Sequence, residues 1–267
     1  QHMRHTLLPE HKFVKGQPDT GAELADDLEL IANKFEGEVA ACIIEPIAGS
    51  TGILVPPKGY LDRLRKICDK HGILLIFDEV ITGWGRTGSP FAAQEFNVTP
   101  DIMTLAKATT NGVVPMGVVA VRDGIYDAVI NSAPEGAIEL FHGYTYSGIP
   151  AAVAAALAVQ DIFEKENIFN KVKKISPYFQ ETLYSLKDLE CVENIRGYGL
   201  LGGIDIKKKD KPGKAGFQVY KFCYENGVNL KATGDALVLA PPFISEKKHI
   251  DEIFEKIRKS INQYMKQ

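Results

Sequence analysis

The sequence is short of the features that mark several large classes of protein. Its four cysteines, Cys42, Cys68, Cys191 and Cys223, form no Cys-x-x-Cys pair. That argues against a structural zinc site or a disulfide framework and fits a reducing, cytoplasmic setting. Of six histidines, only His2 and His5 lie close together, without an acidic or cysteine partner nearby, so no metal-ligand set is read. Neither charge sign dominates. The 31 Lys and Arg against 34 Asp and Glu leave a formal charge of −3, which offers no basic surplus to nucleic acid or a membrane surface. No apolar run approaches the roughly 18 residues of a membrane span. A signal-peptide pattern and internal repeats are also absent from the sequence. The opening Gln1-His2-Met3-Arg4-His5-Thr6 has no initiator methionine in first place and no capping or strand signal, and reads as the interior of a longer protein.

What is present is ordinary for a soluble globular protein, with 45% hydrophobic and 24% charged residues over 267 positions. That length holds one large or two modest domains. From Glu38 onward strand-like and helix-like segments alternate. Val39 to Glu45 is a nearly continuous apolar run closed by Pro46, the pattern of a strand buried on both faces. Tyr60 to His71 spaces Leu61, Leu64, Ile67 and Cys68 as a helix, with Gly72 to end it. Ile73 to Phe77 is a second buried strand with Asp78 at its carboxyl end. Ile102 to Ala106 is a third, ending at Lys107, and Gly117 to Val121 a fourth. Alternation of this kind predicts an α/β layer with a mainly parallel sheet.

The pattern changes after Pro150. An Ala-rich helix runs to about Phe163, and Pro177 to Leu186 reads as another amphipathic helix. Val192 to Ile206 is strand-like, interrupted at Arg196-Gly197-Tyr198-Gly199. Lys207 to Lys214 is read as a solvated hairpin loop, because Pro212-Gly213 makes a turn and Asp210 breaks the basic run. Val228–Leu230 and Ala236–Ala240 read as strands about a Thr233-Gly234-Asp235 turn, and a charged amphipathic helix from Ser245 to Met265 closes the chain. The division falls near Gln160, giving a domain over 1–160 and a smaller α+β domain over 161–267.

In open α/β sheets ligands sit beyond the carboxyl ends of the strands. Two successive strand ends here present an acid, Asp78, and an amine, Lys107. A lysine against a dry sheet edge loses the solvation of its charged form, which makes the nucleophilic amine more accessible. A carboxylate at the next strand end can hold a heterocyclic nitrogen protonated. Pyridoxal phosphate needs that pair: a Schiff-base lysine and an acidic partner for its ring nitrogen. Any strand can end in a polar residue, so the pair alone leaves the matter open.

The surrounding residues are more specific. Phe77-Asp78-Glu79-Val80-Ile81-Thr82-Gly83-Trp84-Gly85-Arg86-Thr87-Gly88, Thr99 to Lys107, Asn111 to Gly117, Ile44 to Gly49, Phe141 to Gly148 and Ala240-Pro241-Pro242 together resemble the class III aminotransferases, in order and along essentially the whole chain. Ala133 to Gly143 is most similar to the ω-amino acid (β-alanine)–pyruvate branch. The resemblance implies the fold type I architecture, a mainly parallel sheet with helices on both faces plus a C-terminal α+β domain. It also implies pyridoxal 5'-phosphate as cofactor and transfer of an amino group from an ω-amino acid or amine to pyruvate or a similar 2-oxo acid.

By the same resemblance Lys107 carries the cofactor and moves the proton, Asp78 pairs with the pyridinium nitrogen and Val80 packs under the ring. Thr145 donates to the phosphate bound by the neighbouring subunit of a homodimer, or of a dimer of dimers. Lys231 stands where the family has an arginine for the substrate carboxylate. Lysine keeps the charge but loses the planar fork. Ser50 and Ile81 replace the glutamate and glutamine of the ornithine and 4-aminobutyrate enzymes and argue against those branches. The family's upstream segment, with its phosphate cup and ring-stacking aromatic, is not in this sequence, so the chain alone is expected to be inactive. Alternatives on the same scaffold are a biotin-pathway aminotransferase, a mutase or a decarboxylating enzyme. A non-catalytic fragment is the alternative outside it.

Overall fold

The computed structural model describes residues 1–209 and 211–266. The first layer is a sheet in the order β1 (Ala41–Ile44), β2 (Leu74–Asp78), β3 (Ile102–Leu105), β4 (Val118–Val121). The first three strands run parallel and β4 returns antiparallel to β3, pairing Leu105 with Val118. Ahead of β1 runs the helix α1 (Asp26–Lys34), and α2 (Tyr60–His71) makes the crossover from β1 to β2. The bounds of α2 match its sequence pattern. Tyr60, Leu61, Leu64, Ile67 and Cys68 form its buried stripe, and Gly72 caps it in the left-handed conformation with its N–H on the Cys68 carbonyl. Leu24, Leu28, Leu75 and Phe77 complete this core.

Asp101 pins the layer just before β3. Its Oδ2 accepts from the Leu75 N–H at 2.7 Å and from Arg65 Nη1 at 2.6 Å, and Arg122 approaches Oδ1 at 3.1 Å. Burial alone would raise the pKa of this carboxyl. The Leu75 N–H and the two guanidiniums outweigh it and hold Asp101 below the usual carboxylate range.

The apolar run at β1 does not produce a strand covered on both faces. Cys42 is buried against α2, while Ile43 on the opposite face is 62% exposed. That open face fronts a cleft whose other wall is residues 1–6.

The second layer is an antiparallel sheet in the order β5 (Val192–Tyr198), β6 (Leu201–Ile206), β8 (Ala236–Leu239), β7 (Lys231–Thr233). Its core includes Val159 and Phe163 of α5 (Pro150–Lys165), Val172, Phe179 and Leu183 of α6 (Ile168–Tyr184), Val219 and Phe222 of α7 (Lys214–Glu225), and Ile250, Phe254, Ile257 and Ile261 of α8 (Lys247–Met265). Two further helices are α3 (Ala92–Glu95) and α4 (Asp123–Ser132), which follow β2 and β4 in the chain.

Four expectations need correction. The proline at 177 lies inside α6 and does not start it, and the helix begins at Ile168. The basic stretch after Ile206 does not make a hairpin but leads into α7, a helix that the sequence reading passed over. Asp210, part of that stretch, lies outside the described residues. Strand assignment falls on Lys231–Thr233, not Val228–Leu230. Arg196, Gly197 and Tyr198 belong to β5, and the interruption is confined to Gly199-Leu200.

The two layers meet through a buried apolar cluster of Ile47, Ile53, Val55 and Leu201, and polar contacts fasten them as well. Arg196, buried on β5, holds Asp205 on β6 and also donates from Nε and Nη2 to the Gly52 carbonyl of the first layer at 3.1 and 2.9 Å. Tyr198 Oη donates to Glu95 at 2.7 Å, and the Leu200 N–H to the Arg86 carbonyl at 2.8 Å.

Candidate active site

Asp78 is the last residue of β2, directly opposite Thr104 on β3, and Lys107 follows β3 by two residues. Both therefore leave the sheet at the same rim. Between the rim and the second sheet lies a cleft of about 800 Å³. Lys107, Val80 and Lys231 line it, together with Ser50, Arg86 and Pro241. Asp78 stands at the adjacent strand end and is not part of the wall. Its Oδ1 accepts from the Val80 N–H at 3.0 Å, and Oδ2 makes no hydrogen bond with a described residue. Thr145 does not line the cleft and lies on an exposed stretch ahead of α5.

Local chemistry explains how the rim is shaped. Glu79 is almost fully buried, and its carboxylate turns the chain back. It accepts from the Ala92 N–H at 2.7 Å, the Ala93 N–H at 2.8 Å and the Thr82 hydroxyl at 3.0 Å. Burial nevertheless keeps its pKa above the usual value, against the pull of these donors. The turn carries Trp84, whose indole N–H donates to Thr109 Oγ1 at 3.0 Å. Thr109 in turn donates to the Ala106 carbonyl at 3.0 Å, bracing the short helical turn that opens with Lys107. Lys107 and Trp84 both have positive φ, +47° and +64°. Such a conformation costs a residue with a Cβ about 1–2 kcal/mol, so the neighbours that brace it matter.

Lys231 sits on β7, the edge strand of the second sheet, with its side chain exposed toward the cleft. Arg86 was quoted in the sequence motif but given no role. Its Nη1 donates to the Pro241 carbonyl at 2.5 Å, and its guanidinium lies 4.2 Å from the Phe243 ring centre. Desolvation pushes its pKa down to about 10. Glu79 was equally unmarked in the sequence, where it continues a strand, and one buried glutamate in such a run is the signal that points to it.

A parallel sheet with an acid and a lysine at neighbouring carboxyl ends, joined to an antiparallel C-terminal sheet, defines a fold type I transferase of the pyridoxal-phosphate group. The aminotransferase class-III model matches residues 2–261, and the chain belongs to that family. It is 48% identical over 265 residues to an omega-aminotransferase of Caulobacter vibrioides, covering 98% of this chain and 60% of the relative. An omega-amino acid–pyruvate aminotransferase of Pseudomonas putida is 43% identical over 99% of this chain and 60% of its own length. Among solved structures, an (S)-enantioselective omega-transaminase of Thermomicrobium roseum superposes with a TM-score of 0.85 at 35% identity, over 91% of this chain and 55% of that one. The chain thus spans about 60% of the length of the curated relatives it matches.

Class III aminotransferases are pyridoxal-phosphate-dependent. The residues here fit the ring of that cofactor. Lys107 opens on a cleft of sufficient size, Val80 offers an apolar surface, and Asp78 has an oxygen not committed to the protein. No helix among the described residues is long and apolar enough to cross a membrane.

Proposed function

We propose that this chain carries the lysine-bearing part of an aminotransferase that uses pyridoxal phosphate to move an amino group from an ω-amino acid or amine to pyruvate or a similar 2-oxo acid. The observation that carries the reading is the convergence of Lys107, Val80 and Lys231 on one cleft, beside the strand end bearing Asp78. The pyruvate-dependent relative supports the choice of acceptor.

When bound, the pyridoxal group supplies an electron sink for negative charge at the substrate carbon. Lys107 Nζ would hold that group, and as a free amine it would take up and release the proton of the substrate carbon. Asp78 keeps a proton on the ring nitrogen, its carboxylate oriented by the Val80 N–H. Val80 and Ile81, both on the cleft wall, would give the ring an apolar surface and limit water there. Lys231, on the opposite wall, meets the substrate carboxylate.

Thr145 belongs to this reading as a donor to the phosphate in the neighbouring subunit of a homodimer. Support comes from its surroundings, where Phe141 and Tyr146 are 94% and 84% exposed, as expected of a surface that a second subunit covers. The same reading sets the larger domain's part at 1–160 and the smaller at 161–267, with α5 spanning the division, and puts the protein in the cytoplasm, where four buried free thiols stay reduced.

The test is chemical. Borohydride reduction of the protein with pyridoxal phosphate, followed by peptide mapping, should place the pyridoxyl group on Lys107. Label on a different lysine overturns the assignment.

A further inference from the structure

Among the described residues the charged ones on the wall of the cleft are Arg86, Lys107 and Lys231, with no Asp or Glu, in a chain whose net charge is −3. Arg86 is the unusual one. The other two interior arginines each hold a carboxylate: Arg65 pairs with Asp69 and Asp101, and Arg196 with Asp205. Arg86 has no ion pair among the described residues. Its partners among the described residues are the Pro241 carbonyl and the face of Phe243. A guanidinium has five N–H donors, and a single backbone carbonyl takes one of them. Withdrawing a cation from water without an opposing anion is costly, and a neutral donor would fasten the Pro241 carbonyl at less cost. Desolvation with no compensating acid, which lowers its pKa, is consistent with this.

We propose that Arg86 is a carboxylate-binding residue of the cleft, supplying the planar two-point fork that Lys231 lacks, so that substrate carboxylates are read from the Arg86 wall with Lys231 as a second positive charge. This rests on the function proposed above and adds to it the residue that discriminates carboxylate-bearing substrates from simple amines. A guanidinium matches a carboxylate through two parallel N–H donors, whereas an ammonium acts as a point charge.

The chain contains its own reporter. Trp84 is the single tryptophan. It packs edge-on against Phe163 at 6.2 Å, Phe163 packs on Phe243 at 5.6 Å, and Phe243 underlies Arg86.

Propanoate, which has the carbon skeleton of β-alanine without its amine, is titrated into the cofactor-free protein in low-chloride buffer. Trp84 fluorescence and calorimetry follow binding. Propylamine and inorganic phosphate are run at matched ionic strength. The variants are Arg86→Met, Arg86→Lys and Lys231→Met, each checked for fold by circular dichroism.

Propanoate should bind the wild type with a change in Trp84 emission, and propylamine should not. Its affinity should fall at least about tenfold in Arg86→Met and severalfold in Arg86→Lys, the size of one charge-assisted pair and of a lost fork. If Arg86→Met fails to fold, Arg86→Lys decides, because it retains the stem and the charge. Affinities within twofold of the wild type in the folded variants overturn the proposal. So does absence of propanoate binding by the wild type, or an Arg86-dependent site that takes phosphate and not propanoate. None of these outcomes bears on the labelling of Lys107, so failure here is distinguishable from failure of the aminotransferase reading.

Discussion

Gly199 and Gly234 provide a matched pair of perturbations. Their backbones are nearly the same, φ +56° and +55°, and their surroundings are opposite. A Cβ on Gly234 would meet nothing within 4 Å, while one on Gly199 would lie 2.2 Å from the Arg86 carbonyl oxygen and 2.8 Å from Thr87 Cα. Alanine at either position bears the left-handed cost, about 1–2 kcal/mol. At Gly199 the Gly85-to-Gly88 turn must also move away from the tip between β5 and β6. That adds overpacking of about 1–3 kcal/mol. It also sacrifices the hydrogen bond from Leu200 N–H to Arg86 O, 2.8 Å long and worth about 0.5–1.5 kcal/mol. For a chain of this size each kcal/mol moves Tm by roughly 2–4 °C. Gly234→Ala should therefore melt roughly 2–8 °C below the parent, and Gly199→Ala a further 3–18 °C or so below that. Thermal denaturation followed by circular dichroism and Trp84 emission measures both. If the two variants melt within about 1 °C of each other, the turn bearing Arg86 is not wedged against the second sheet and the reasoning fails.

In enzyme that carries the family's upstream segment as well, Lys231→Ala should lower kcat/KM for β-alanine about 10- to 150-fold while affecting an uncharged amine far less, with Lys231→Arg partly restoring activity or exceeding the parent. Equal losses on both donors would make Lys231 a general support of the site. Glu79→Gln should cost about 1–3 kcal/mol at neutral pH, since an amide cannot accept from three donors at once and turns an N–H toward another. The pKa of Glu79 is raised on folding, so its contribution is complete below the unfolded carboxylate range and is lost as pH rises through the raised value. The gap in Tm between parent and Glu79→Gln should therefore be wider near pH 4 than near pH 8, and the reverse slope would refute the assigned direction.

Much of the first layer was legible because its signals are local. The α2 stripe and its terminal Gly72 gave both ends of the helix, and the short apolar runs put Asp78 and Lys107 at neighbouring strand ends. Elements decided by packing were harder. In α7 the helical stripe Ala215, Val219, Phe222 and Cys223 is interrupted by Gly216, a poor helix former that is needed because a Cβ there would meet the Gly234 carbonyl at 2.5 Å. The sequence pattern opens a helix at Pro177, nine residues after its real start at Ile168. In the fold, buried Ile168 and Val172 carry the helix through the proline, with Ser176 donating to the Val172 carbonyl. Glu79 and Arg86 act through partners 13 and 155 residues away, and no pattern along the chain encodes those distances.

The walls of the cleft come from two sheets that also meet through the buried cluster of Ile47, Ile53, Val55 and Leu201 and through several polar contacts. Anything that settles there touches residues on either side and cannot remain bound when one side opens. Occupancy therefore enters the unfolding equilibrium of both layers at once. At a free concentration one hundred times Kd, the native state gains about 2.7 kcal/mol, and neither sheet can melt separately without giving it up. Ligand should therefore delay the unfolding of both layers together, with one later transition as the readout.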